Sequence, residues 1–253
     1  MDNTILNALI LTTLAGLSTT VGSLLGLVVR NPGKSFLSFT LGFSAGVMIL
    51  VSLVELFPGG VETIGWVSAI IGFNIGALLM FLVDWFVPHD YILHHEDNIG
   101  PKKARMLKAG LFVALGIGIH NFPEGMATFA GALKDIKVGM AIAVAIAIHN
   151  IPEGLAISVP VYAATGSRAK AFWWSFLSGV AEPVGAGIAA LFLMPYLNDA
   201  VLGWLLTIVA GIMIYISLDE LLPVSREGGY EHQSIGGVFI GMAVMAVTLW
   251  MLS

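Results

Sequence analysis

Cysteine is absent from the 253 residues. That excludes a disulfide framework and thiolate metal ligands, so any transition metal must be held by His, carboxylate, amide or thioether groups. Charge is scarce: Asp, Glu, Lys and Arg make up 11% of the chain, against about 25% in soluble domains. Too little polar surface is present to cover a water-facing globule. The net charge of −5 is small and excludes nucleic acid as a partner drawn in by a basic surface. No basic region precedes the first apolar run and no small-residue cleavage site follows it, so that run is expected to be a retained helix rather than a signal peptide. What the chain has in abundance is apolar character, with 57% hydrophobic residues and a mean hydropathy of +0.92. It belongs in a lipid bilayer, and its 30 glycines suit helices whose backbones approach closely in lipid.

A spanning helix needs about 20 mostly apolar residues. Eight such runs are predicted, at about 4–29, 36–57, 66–87, 107–133, 138–164, 171–195, 201–222 and 235–252, within a single transmembrane domain over 1–253. The runs lack the ten-residue alternation of a membrane β-barrel, so the fold class is an all-α integral membrane protein. Nine of the eleven Lys and Arg residues fall in loops on one side, namely Arg30, Lys34, Lys102, Lys103, Arg105, Lys108, Arg168, Lys170 and Arg226. The other side has Lys134 and Lys137. Basic loops stay cytoplasmic, which places both termini outside and the 3–4 loop, about 88–106, inside. The compact loops and missing targeting segment point to a bacterial inner membrane.

Two internal repeats organise the chain. Gly118-Ile119-His120-Asn121-Phe122-Pro123-Glu124-Gly125 in the fourth span recurs 29 positions later as Ala147-Ile148-His149-Asn150-Ile151-Pro152-Glu153-Gly154 in the fifth. Ala45 to Pro58 in the second span matches Ala210 to Pro223 in the seventh at nine of fourteen positions. In the eight-span topology each pair runs antiparallel, which makes helices 1–3 and 6–8 inverted repeats around a central 4/5 pair, a hallmark of alternating-access carriers. The repeat breaks at one place, where the sixth span has Glu182-Pro183 and the first has Thr19-Thr20.

Residues i, i+1 and i+4 of a helix are neighbours, so His120, Asn121 and Glu124 project into one cluster and His149, Asn150 and Glu153 into another. An ionised group at mid-membrane costs at least ~2.5–3.5 kcal/mol and needs a compensating partner. Pro123 and Pro152 lack an N–H and free the carbonyls of Ile119 and Ile148. Two imidazoles, two amides and two carboxylates form an N/O set suited to Zn²⁺, Fe²⁺ or Mn²⁺, and Glu182 adds a third carboxylate that makes room for a second ion. Metal binding to such a set is expected to displace protons.

Other polar residues carry two readings each. Met48 and Met213 hold equivalent repeat positions; a thioether is a weak ligand and a common packing group. Glu55 at the outer end of the second span, and Asp219 and Glu220 at the inner end of the seventh, are candidates to attract cations on the uptake and release sides, or are simply solvated. His89, His94 and His95 in the 3–4 loop are candidate metal-sensing residues or a hydrated connection.

At these motifs the chain resembles the ZIP (Zrt/Irt-like protein) family of divalent-metal transporters, and is most similar to its bacterial ZupT-type zinc-uptake branch. The resemblance rests on His120 to Gly125 and His149 to Gly154 and extends to Gly42 to Pro58, Pro160 to Ser167, Ser178 to Glu182 and Ala210 to Pro223. It implies a transporter, not an enzyme, that takes up zinc first, and also iron, manganese, cobalt or cadmium, as cargo rather than as a prosthetic group. It implies one ion among His120, Glu124, His149 and Glu153, and another among Asn121, Glu124, Asn150, Glu153 and Glu182, with Met48 as an additional ligand in some members. It also implies a homodimer, with a bundle of helices 1, 4, 5 and 6 moving against helices 2, 3, 7 and 8. The 3–4 loop is shorter than the His-rich loops of many eukaryotic relatives.

An intramembrane enzyme is the rival from another class. Zinc proteases need His-Glu-x-x-His and di-iron bundles Glu-x-x-His; neither motif occurs in the sequence. A metal-gated channel or sensor using the same cluster is the third reading, and the inverted repeats favour a carrier over it.

Overall fold

The computed structural model describes residues 3–29, 33–86, 101–196, 198–226 and 229–252. Among them nearly every residue is helical and none is in a strand: α1 (Asn3–Val28), α2 (Lys34–Val51), α3 (Phe57–Phe86), α4 (Pro101–Lys134), α5 (Ile136–Thr165), α6 (Arg168–Ile188), α7 (Asp199–Ile216), α8 (Leu222–Arg226) and α9 (Glu231–Leu252). Six described stretches are long and apolar enough to cross a membrane: Asn3–Val28, Lys34–Phe86, Ile142–Thr165, Arg168–Phe192, Asp199–Arg226 and Glu231–Met251. α4 is not one of them, and the polar His120, Asn121 and Glu124 sit in its middle. The candidate sensing residues His89, His94 and His95 lie outside the described residues.

Turn chemistry punctuates the rods. Asp135 alone joins α4 to α5 and accepts a hydrogen bond from the Lys137 N–H. Ser167 caps α6 through the Lys170 N–H, and Asn198 caps α7 through that of Val201, each satisfying an orphan donor of a helix N-terminus. The stretch Lys34–Phe86 is 53 residues long, and as one straight rod it would measure about 80 Å, far beyond a hydrocarbon core of about 30 Å. Its direction breaks at Gly65, with φ 77° and ψ 162°, a conformation essentially confined to glycine. A Cβ there would meet no neighbouring atom, so only backbone strain opposes substitution. Gly65→Ala is expected to lower stability by about 1–3 kcal/mol, read as a lower thermal midpoint of the detergent-solubilised protein.

Among the described residues three π-helical turns interrupt the rods: Ser52–Leu56 between α2 and α3, Ala189–Leu193 after α6, and Ser217–Leu221 between α7 and α8. Each ends two positions before a proline, Pro58, Pro195 or Pro223. A proline ring clashes with the carbonyl four residues back, and a widened turn relieves that clash. Ser52 and Ser217 assist by donating side-chain hydrogen bonds to the carbonyls of Met48 (2.7 Å) and Met213 (2.8 Å). The helix beginning at Lys34 therefore continues past Phe57 and Pro58 to Gly65 instead of ending at the proline.

The helices pack as two bundles. α1, α4, α5 and α6 contact one another closely; α3 lies along α7 and α2 along α9, and the π-turns tie these two pairs together. Across the bundles, α2 meets α5 and α4 meets α7. Glycines set the spacing: Gly42 and Gly46 of α2 lie against carbonyls of α9, and Gly237 and Gly241 of α9 against carbonyls of α2, the close backbone approach that packing in lipid favours.

Candidate metal-binding site

The polar motifs of α4 and α5 meet in the interior of the first bundle. His120, Asn121, Glu124, His149, Asn150, Glu153 and Glu182 are each at most 2% exposed. Two pairs of helices bring them together by glycine contact. Gly125 of α4 lies on the Glu182 carbonyl of α6, and Gly185 of α6 on the Phe122 carbonyl of α4. Gly22 of α1 and Gly154 of α5 make the same reciprocal contact through the carbonyls of Ile151 and Thr19.

Partners are exchanged between the two motifs. His120 Nε2 lies 3.0 Å from Glu153 Oε1, and His149 Nε2 lies 3.4 Å from Glu124 Oε2, so each helix supplies the imidazole for the other's carboxylate. The amides bind outward: Asn121 donates to the Ser178 carbonyl at 3.2 Å, and Asn150 to the Ala15 carbonyl at 3.0 Å and to Glu182 Oε1. Glu182 is thereby tied to α5.

Seven side-chain atoms of this cluster make no hydrogen bond: His120 Nδ1, Asn121 Oδ1, Glu124 Oε1, His149 Nδ1, Asn150 Oδ1, Glu153 Oε2 and Glu182 Oε2. An unsatisfied buried polar atom costs about 1–3 kcal/mol. All seven are nitrogen or oxygen and three of them are carboxylate oxygens, atom types that suit a hard or borderline divalent cation.

A cavity of about 140 Å³ reaches the cluster from α2, with Val51, Glu55, Leu56, Pro123, Glu124 and His149 in its wall. Glu55 is exposed on the π-turn before α3, so the mouth of the cavity carries a carboxylate. Ser44 of α2 donates to the Pro152 carbonyl at 2.7 Å, a direct hydrogen bond between the bundles one residue from Glu153. Met48 and Met213 are fully buried in the main hydrophobic core and do not line this cavity.

A second acidic group was not anticipated from the sequence. Asp84 near the end of α3 joins Asp219 and Glu220 of the π-turn Ser217–Leu221, with ligand oxygens all within 4.8 Å of one another. It is the one group of three among the described residues that is this compact; the four His and Glu ligands of α4 and α5 stand as two cross-helix pairs. Asp84 is an acid inside an apolar run, and that is the sequence signal that marks it. By the repeat, Glu220 is the counterpart of Glu55.

Residues 87–249 match the family described as "ZIP Zinc transporter". Several proteins called "Zinc transporter ZupT" are similar over the whole chain. That of Streptococcus mutans is 48% identical, covering 98% of each chain. That of Oceanobacillus iheyensis is 49% identical over 100% of each. That of Chlorobium limicola is 51% identical over 97% of this chain and 98% of its own.

Proposed function

The chain belongs to the ZIP zinc transporter family, and from that premise we propose that it carries Zn²⁺ into the cytosol through the α4/α5 cluster. It is a multi-pass bacterial membrane protein that transports and does not catalyse. The cargo is zinc first, with Fe²⁺, Mn²⁺, Co²⁺ and Cd²⁺ as further substrates of the same N/O ligands. One ion sits among His120, Glu124, His149 and Glu153. A second sits among Asn121, Glu124, Asn150, Glu153 and Glu182, with Glu124 and Glu153 shared. Met48 is an additional ligand reached when the bundles shift.

The observation that carries this reading is the set of seven buried donor atoms without partners. The chain crosses the membrane eight times, with both termini outside, and helices 1–3 and 6–8 form inverted repeats around the 4/5 pair. In that numbering the second span ends at Gly65, α3 beyond it is the third, and α9 is the eighth. The packing supports it: α2 with α9 and α7 with α3 are counterparts, as are α1 with α5 and α6 with α4. Glu55 attracts the ion on the outer side, and Asp219 and Glu220, joined by Asp84, receive it on the inner side. The protein works as a homodimer in lipid, and the bundle of α1, α4, α5 and α6 moves against the other. A metal-gated channel or an intramembrane enzyme is not favoured.

The test is ⁶⁵Zn²⁺ uptake into proteoliposomes of purified protein, with Fe²⁺ and Mn²⁺ as competitors. Saturable uptake above protein-free vesicles is expected. Folded, correctly oriented protein that moves no metal, with or without a pH gradient or potential, overturns the reading. Glu55→Gln removes a charge at the mouth and leaves the ligands in place. A carboxylate–cation attraction near water is worth about 1 kcal/mol per charge, or about 2 kcal/mol for a divalent ion, so the half-saturating zinc concentration should rise by up to roughly thirtyfold with the maximal rate retained. A lost maximal rate would make Glu55 a ligand instead.

A further inference from the structure

We propose that a second copy of this chain docks along the lipid-facing side of α3, with the Asn74 side chains of the two copies hydrogen-bonded to each other within the contact. This rests on the homodimer reading above and names its surface. Asn74 is exposed near the middle of the run that follows Gly65. Its amide donates one hydrogen bond, to the carbonyl of Ile70 at 2.8 Å, and makes no other among the described residues. The remaining N–H and the carbonyl oxygen have nothing to bind in hydrocarbon, where no water is present. A carboxamide holds both a donor and an acceptor, so across a twofold axis it is complementary to its own copy.

The surface around Asn74 is shaped to receive a helix. On one side Leu53, Phe57, Ile70 and Phe73 form a hollow of about 200 Å³ with Asn74 at its edge. Further along the same helix, Ile75, Leu78, Leu79, Leu82 and Phe86 form a groove of about 620 Å³. The exposed side of α9, over Phe239, Ile240, Val244 and Val247, has no such amide. Copies inserted the same way in one membrane are related by an axis along its normal, which sets the two α3 helices side by side in parallel. α3 carries none of the His and Glu ligands of the α4/α5 cluster, so a contact here leaves the bundle of α1, α4, α5 and α6 free to move.

The natural chain has no cysteine, so single cysteines report proximity without background. Leu78→Cys on α3 and Leu177→Cys on α6, both exposed positions, are to be oxidised in native membrane vesicles. Leu78→Cys should form a covalent dimer and Leu177→Cys should not. In parallel, the monomer–dimer balance of wild type and Asn74→Leu is measured by single-molecule photobleaching over a range of protein-to-lipid ratios. An interhelical amide hydrogen bond in lipid supports a roughly tenfold weaker dimer in Asn74→Leu. A dimer that Asn74→Leu leaves unchanged, or that cross-links through Leu177→Cys and not Leu78→Cys, overturns the α3 contact while the homodimer stands. Wild type that is monomeric at every ratio overturns both.

Discussion

Glu153→Ala is expected to reduce zinc uptake to the level of protein-free vesicles. The Glu153 carboxylate faces His120 at 3.0 Å, and its second oxygen is one of the donors without a partner. It is shared by both proposed ions, so its removal takes a negative charge from each of them at once. Truncating one partner of a buried charge pair in a binding site costs about 2–5 kcal/mol, or roughly 10–10⁴-fold in affinity. Alanine also opens a void beside His120, so Glu153→Gln serves as the isosteric companion. It should insert and survive detergent extraction like wild type and transport as poorly as the alanine variant. Uptake in Glu153→Gln within a few-fold of wild type would show that the charge is not needed.

A large effect on the fold is expected at Gly125. A Cβ at that position lands on the backbone of Glu182, which cannot rotate out of the way as a flexible side chain can. Overpacking of a core typically costs 1–3 kcal/mol and occasionally more; against a rigid carbonyl, Gly125→Val should fall at or beyond the upper end, about 3 kcal/mol. The helices α4 and α6 must then separate, carrying Glu182 away from Asn150. A lower thermal midpoint and weakened zinc binding are both expected. Gly187→Ala on the same helix α6 is the control. A Cβ there meets nothing within 4 Å, and alanine is favoured over glycine in a helix interior by about 0.5–1 kcal/mol, so that variant should be as stable as wild type or slightly more so. Equal behaviour of the two variants would contradict the reciprocal glycine packing.

Composition made the membrane class legible, because 57% hydrophobic residues with 11% charged ones leave no soluble alternative, and uniformly apolar runs without β-barrel alternation made it all-helical. The family was legible in the two His-Asn-x-Pro-Glu-Gly motifs, which the match over residues 87–249 supports independently. Helical spacing put His120 with Glu124 and His149 with Glu153. It did not reveal that each imidazole takes the other helix's carboxylate, because that depends on how α4 and α5 turn towards each other. Reading Pro58 as a helix end missed the π-turn before it, which absorbs the ring and lets the helix run on to Gly65. Asp84 comes beside Asp219 and Glu220 only through the packing of α3 on α7, a contact between residues more than a hundred positions apart. The glycines were legible as a packing composition. Which of them meet, such as Gly16 with Gly179, is fixed by the register of two helices and not by either sequence alone.

The most direct test is zinc K-edge X-ray absorption on protein loaded with one equivalent of Zn²⁺, beside His120→Ala and His149→Ala. Zinc among the α4/α5 ligands should show a first shell of nitrogen and oxygen at about 2.0–2.1 Å, with outer-shell scattering from two imidazoles that falls in each variant. An all-oxygen shell without imidazole scattering, unchanged in both variants, would contradict binding at His120 and His149. It would move the bound ion to an all-oxygen set, either that of Asn121, Glu124, Asn150, Glu153 and Glu182 or the group of Asp84, Asp219 and Glu220.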